Sequence, residues 1–164
     1  MIEVQQLGAD DWRLWRQLRL EALADSAAAF SSTFAQWTGP GDTEERWRAR
    51  FSNVPFNVVL LFDGALAGMV AAYVRADDSV ELISLWVAPF ARGHGVADAA
   101  VRAVLGWADP RDAVLSVKAD NKPAIALYQR HGFVDAGQSP DDPDERLMRR
   151  SPNTAGPVAA PNLK

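Results

Sequence analysis

"VAPFARGHGVADAAV", residues 87–101, joins an apolar run to an apolar helix through a segment almost bare of side chains. Gly93, Gly95 and Ala97 fall within five positions. A strand ending near Val87, a turn at Pro89 and small residues opening a helix make a cradle for phosphate. The first N–H groups of a helix have no partner inside it, and the helix dipole gives them about half a positive charge. Glycine lets an anion reach the backbone without meeting a Cβ. Arg92 adds a fork of donors beside it. A lone glycine pair also fits an ordinary turn before a helix, so the flanking sequence has to decide.

Upstream, the pattern is antiparallel. "IEVQQL" (2–7) alternates like a strand, and Asp10 or Asp11 caps a helix to about Ala24 with Trp12, Trp15, Leu18 and Ala22 at helical spacing. After "GPGD", Asp42 is the expected cap of a second helix, "TEERWRARF", with Glu45 three residues on. "NVVLLF", the Asp63–Gly64 hairpin, "ALAGMVAAYV", a turn at "ADDS" and "VELISLWV" then form a three-strand meander. Downstream, the order changes to helix (93–108, with Val96, Ala100, Val104 and Trp107 on one face), strand "AVLSVKA", and helix "NKPAIALYQRHGF". A strand–helix–strand run implies a parallel pair through a right-handed crossover. Pro123 suits the second helix's first turn, Gly132 its end. "FVDAG" and "ERLMRR" read as closing strands. The tail, 151–164, has no periodicity and three prolines, and is expected to be disordered.

Bulk properties narrow the classes. The chain has 164 residues, 48% of them apolar, which suggests one domain over 1–150 with a sizeable core. A formal charge of −4 argues against a nucleic-acid footprint. Cysteine is absent, which removes disulfides and thiolate zinc sites, and the histidines number only two, so no metal is expected. There is no signal-peptide pattern and no run near the ~18 apolar residues of a membrane span. A cytoplasmic protein, without membrane or nucleic-acid partners, is the default expectation.

The dinucleotide fingerprint fails at position 98, where Asp98 stands in place of its third glycine. The Gly-Lys-Ser/Thr of a P-loop is missing. Instead, "LWVAPFARGHGVA" resembles the acetyl-coenzyme A signature of the GNAT superfamily of N-acetyltransferases. Its Arg/Gln-x-x-Gly-x-Gly/Ala core falls on Arg92, Gly95 and Ala97, and Leu-x-Val-x-Pro on Leu85, Val87 and Pro89. The second signature, Asn-x-x-Ala-x-x-Leu-Tyr-x-x-x-Gly-Phe, falls on Asn121, Ala124, Leu127, Tyr128, Gly132 and Phe133. The likeness is sharp over 80–133 and topological over the rest of 2–150.

The resemblance implies an α/β fold: a mixed, mostly antiparallel, twisted sheet of about six or seven strands, flanked by about four helices. It implies that the sheet splays between the third meander strand and the strand at 113–118, and that coenzyme A enters there. Backbone amides of Arg92, Gly93, His94, Gly95, Val96 and Ala97 would hold the diphosphate. The main chain of Leu85, Trp86 and Val87 would pair with the pantetheine arm like an added strand. The N–H near Leu85 would hold the thioester carbonyl. Asn121, Ala124 and Tyr128 would flank the arm and the sulfur. Trp86 would shield the acetyl group or belong to the core.

The chemistry asks for a base and an acid. An alkyl ammonium with a pKa near 10.4 must lose a proton before attack, at roughly 4–5 kcal/mol at pH 7. Glu81 is the candidate base. Strict alternation would put it on the face of Leu85, about 13 Å along the strand, with a water between it and the amine. Several members of the family have a catalytic glutamate at the matching position; an edge charge facing solvent is the plain alternative. Tyr128, protonated at pH 7, can donate to the leaving thiolate; a core tyrosine is the alternative. His94 fits a donor beside the diphosphate, and His131 has no functional reading. Phe30, Phe34 and Trp37 with the acids of 141–145 would suit a cationic acceptor, with Glu21 and Glu45 in reach, although core packing and a solvated turn explain them equally well.

The expectation is therefore an N-acetyltransferase that moves an acetyl group from acetyl-coenzyme A to a primary amine by direct attack in a ternary complex. A cysteinyl acetyl-enzyme is impossible without cysteine. Small amines, antibiotics, amino acids, polyamines and protein N-termini stay open as acceptors. Members of the family often form homodimers. Two alternatives remain: a coenzyme A-binding sensor without catalysis, and an acyltransferase for a different acyl group.

Overall fold

Alternating apolar residues build the first four strands into an antiparallel meander in the computed structural model, which describes residues 1–26 and 33–152. The strands are β1 (Ile2–Gln6), β2 (Phe56–Phe62), β3 (Ala65–Val74) and β4 (Val80–Val87), with α1 (Trp12–Asp25) and α2 (Glu44–Asn53) between the first two. Asp63 and Gly64 make the β2–β3 turn with φ of 50° and 85°, the positive pair that matches strand twist in two-residue hairpins. Then come α3 (Val96–Ala108), β5 (Ala113–Lys118), α4 (Lys122–Arg130), β6 (Val134–Gln138) and β7 (Glu145–Arg150).

The sheet order is β1-β2-β3-β4-β5-β7-β6. Both faces are covered. Val58, Leu60 and Val70 pack with α3 and α4, whereas Val59, Met69 and Ala71 pack with Trp15 of α1 and Trp47 of α2. Both tryptophans are fully buried; each such apolar burial is worth about 1.5–3 kcal/mol. On α3 the buried stripe is Val96, Ala100, Val101, Val104 and Ala108, close to the i, i+4 rule. Trp107 lies at its margin and stacks on Phe56 at 4.9 Å.

The parallel β4–β5 pairing spans only Val80↔Ala113 and Glu81↔Val114. Beyond it the strands part, and β5 gives its other edge to β7 from Ala113↔Arg150 to Lys118↔Glu145. This is the expected splay.

Some local expectations are corrected. The second helix is capped by Thr43, whose side chain accepts from the Arg46 N–H, not by Asp42. Asp42 instead receives the Arg16 guanidinium and the Trp47 indole N–H. Asp11 precedes α1, but its carboxylate turns back to the Gly8 N–H. The third helix starts at Val96 rather than Gly93, because Gly93 and Gly95 take φ of 81° and 86°, which a helix excludes. Strict alternation on β4 also fails. Ser84 has φ 60°, and Ser84 and Leu85 together stand opposite Val70, between the pairs Ala71↔Ile83 and Met69↔Trp86. The extra residue is a β-bulge, which shifts the alternation by one. Leu82, Leu85 and Val87 face the α3 side, while Ile83 and Trp86 face α1 and α2. Glu81 shares the Ile83 face, where it meets Tyr73, so Glu81 and Leu85 point to opposite sides.

The expected disorder of the tail falls, from residue 153 on, outside the described residues. Among the described residues no helix is long and apolar enough to cross a membrane.

Candidate active site

The parting of β4 from β5 opens a cleft of about 510 Å³, walled by β4, β5 and α4. Leu85, Trp86 and Val87 line one wall; Asn121, Ala124 and Tyr128 line the other. The β4 edge that faces the cleft has strand partners only at Val80 and Glu81. A bare edge of this kind can take an extended ligand as an added strand. A second pocket of about 520 Å³ shares Val87, Arg92, Ala97 and Ala124 with the first and continues it over Gly93, Gly95 and Val96. Together they make one bent groove that ends at the start of α3.

That end has the makings of an anion site. Gly95 is the N-cap of α3 with no side chain to cap it, and the first bond into the helix is Ala99 N–H to Gly95 O. The amides of Val96, Ala97 and Asp98 precede that bond. A Cβ at Gly93 would meet open space and one at Gly95 only the tip of Ile2. The glycines are therefore required by their left-handed φ, not by crowding. Asp98 lines this pocket but does not stand as a bare charge: it accepts from His131 Nε2 at 2.8 Å and Arg130 at 3.1 Å. Burial opposes its ionisation, yet the bonds from His131 and Arg130 hold it below the ordinary carboxylate range.

Several expected side chains have other work. His94 does not line the groove; its ring stacks on Phe62 at 4.8 Å, which leaves only its backbone for the cradle. Arg92 spends its Nε on Val87 O and its Nη2 on Asp25, so only part of its fork faces the groove. Asn121 caps α4 by accepting the Ala124 N–H, as its place before a Pro-containing first turn favours. Trp86 both lines the cleft and belongs to the α1/α2 core, with its indole N–H on Asp25 at 3.1 Å.

Tyr128 is buried, its ring edge-on to Phe133 at 5.8 Å. Among the described residues its hydroxyl has no hydrogen-bond partner. Burial pushes the hydroxyl's pKa up, so it stays a proton donor throughout the physiological range. Glu81 lies outside the cleft walls; it accepts from the Tyr73 hydroxyl at 2.8 Å and stands 4.0 Å from Arg75. Burial and then the bond to Glu81 push Tyr73 up to about 12.

The expected acceptor residues are dispersed. Phe30 lies outside the described residues. Trp37 packs on Trp47, with Arg46 over its ring. Asp142 and Glu145 both pair with Lys118, and of these acids Glu145 does line the cleft, beside Lys118. Phe34 and Glu21 line a separate pocket on the outer side of α1, and Glu45 is exposed.

The structure adds Ser84, Ser116, Lys118 and Arg130 to the groove and puts Asp25 behind it. Ser116 and Lys118 were findable as the polar i, i+2 positions of an otherwise apolar strand. Asp25 carries no sequence signal. It gathers Ser26, Trp86 and Arg92 on one oxygen, and those bonds, in that order, lower it to about 2. Among the described residues no group of three or more His, Cys, Asp or Glu side chains could hold a metal ion.

Comparison with known proteins agrees with this geometry. The model of the Acetyltransferase (GNAT) family matches residues 16–133. Comparison with the curated proteins gives no match. Among solved structures, the PaiA N-acetyltransferase from Thermoplasma acidophilum in complex with coenzyme A is similar at TM-score 0.70 and 16% identity, over 92% of this chain and 99% of that one. YncA from Salmonella typhimurium, with its cofactor acetyl-CoA, reaches TM-score 0.71 at 18% identity over 100% and 99%. The ribosomal-protein-S18-alanine N-acetyltransferase from Escherichia coli reaches 0.62 at 20% identity over 100% and 99%.

Proposed function

The chain belongs to the GNAT family of acetyltransferases, and from that premise we propose that it transfers an acetyl group from acetyl-coenzyme A to a primary amine by direct attack in a ternary complex. The observation that carries the reading is the groove itself. A bare β4 edge, a Gly93–Gly95 cradle at a helix start and the Tyr128 hydroxyl follow one another along it.

In this reading the amides of Val96, Ala97 and Asp98 bind the coenzyme A diphosphate, and the edge of β4 pairs with the pantetheine arm. Similar structures that hold coenzyme A or acetyl-CoA support the donor. The bulge at Ser84 turns the Leu85 main chain, whose N–H takes up the negative charge that develops on the thioester oxygen. Tyr128 gives its proton to the departing thiolate as the C–S bond breaks. The amine loses its proton through a water to Glu81. Because Glu81 faces the α1/α2 side and Leu85 the α3 side, the acceptor enters from the α1/α2 side of the cleft. Trp86, fixed by Asp25, walls the acyl position.

A thiol-release assay with acetyl-coenzyme A over a broad amine panel tests the reading. Acceptor-dependent release together with an N-acetylated product is expected. Binding of acetyl-coenzyme A without transfer to any amine would instead identify a sensor.

A further inference from the structure

Among the described residues, Arg50 is a cation to which the fold supplies no carboxylate. It reaches from α2 across the sheet, giving Nη1 to Asn57 Oδ1 and Nη2 to Ser84 Oγ, with its Cζ 4.4 Å over the Trp15 ring. Each of these partners is neutral. Among the described residues no carboxylate lies within ion-pair distance of Arg50, and the sequences of 27–32 and 153–164 contain no Asp or Glu. Elsewhere the chain pairs guanidinium groups with acids readily, as in Arg16–Asp42, Arg92–Asp25 and Arg149–Asp112.

The local charge is higher still because Arg19, on α1, is buried at 6% exposure. Burial, and then the charge of Arg19, lowers Arg50 to about 9, so it remains a cation at neutral pH. Withdrawing the Arg50 charge from water beside another cation is unfavourable unless an anion joins Arg50. The contact from Arg50 to Ser84 is long, 3.4 Å, beyond the usual N–H···O range of about 2.7–3.2 Å. A carboxylate oxygen would readily replace the hydroxyl.

The position is informative. Ser84 lines the cleft and directly precedes Leu85, and Arg50 approaches it from the α1/α2 side, the side assigned to the acceptor. An anion bound there stands about one residue from the thioester carbonyl. An α-amino acid has that shape, with carboxylate and amine on one carbon. Polyamines and simple amines have no such anion.

We propose that the acceptor is a free α-amino acid whose carboxylate binds Arg50 at the Ser84 bulge. This rests on the amine-transfer reading. The test compares the standard amino acids with their decarboxylated amines, for example phenylalanine with phenethylamine, in thiol release by the full chain. At least one amino acid should exceed its amine by roughly a hundredfold in kcat/KM. Arg50→Gln should erase that preference through KM, with acetyl-coenzyme A affinity unchanged. If Arg50→Gln does not fold, Arg50→Lys, which keeps charge but loses the fork, should reduce the preference roughly tenfold. Equal use of amines and amino acids, or a preference that survives the substitution that folds, overturns the proposal. If neither set releases thiol, calorimetry with the same amino acids on the coenzyme A-bound protein decides. Saturable binding lost in the Arg50 variant upholds the carboxylate site while refuting acetyl transfer, and the absence of binding overturns the site.

Discussion

Glu81 and Leu85 lie four residues apart on one strand yet face opposite sides of the sheet, because Ser84 is an extra residue between them. The relationship separates two tasks. In the proposed mechanism the main chain of Leu85 would serve the donor from the cleft edge, and the Glu81 carboxylate would serve the acceptor from the other face without crowding the pantetheine arm.

Deletion of Ser84 tests that relationship. It removes the bulge while Ile83, Leu85 and Trp86 keep their faces, so the protein should fold with a straighter β4. The β4–β5 pairing should then extend past Glu81–Val114 and narrow the cleft. Circular dichroism should stay native, and coenzyme A binding should fall roughly a hundredfold or more. Unchanged affinity would show that the bulge does not set the cleft.

Replacing Tyr128 by Phe removes the donor but keeps the ring packed on Phe133. Acetyl-coenzyme A affinity should stay within about twofold while kcat falls roughly a hundredfold, the scale of general acid catalysis. A pre-steady-state assay that shows unaltered chemistry would remove Tyr128 from the acid role.

At Gly95 the φ of 86° decides. Alanine there should lower stability by about 1–2 kcal/mol, and valine by more. Asparagine, which tolerates the left-handed region, should retain most of the coenzyme A affinity. Equal loss with asparagine and valine would mean that side-chain volume matters and not backbone conformation.

Acid should loosen the α1–α2 corner. The Arg16 and Trp47 bonds lower Asp42 from 3.8 to about 2. A carboxylate depressed in the folded state stabilises the protein above its unfolded pKa, and that contribution is lost as the pH falls through the folded value. Thermal stability should therefore drop between about pH 4 and pH 2. Asp42→Asn should be less stable at pH 7 and flatter across that window. An equally steep decline in the variant would assign the acid sensitivity to other carboxylates, of which Asp25 is the first to test.

Much of this was legible in the sequence for physical reasons. The meander showed because apolar residues alternate and Asp63–Gly64 marks a turn. The cradle showed because Gly93 and Gly95 are needed at positive φ just before a helix. The splay followed only from the resemblance carried by residues 85–97 and 121–133. What stayed hidden depends on three-dimensional partners. The bulge at Ser84 leaves no mark in the alternation of "VELISLWV", and it reversed the expected relation of Glu81 to Leu85. The bonds of Asp25 to Trp86 and Arg92, the Asp98–His131 bond and the Arg50–Ser84 contact join residues 33 to 67 positions apart. No local pattern encodes them.

Direct transfer is tested most directly by a single-turnover mass balance, with enzyme in excess over acetyl-coenzyme A and an amine acceptor present. The account predicts that free thiol and acetylated amine appear together in equal amounts while the mass of the protein stays unchanged. An acetyl group on the protein, or thiol without acetylated amine, would contradict it.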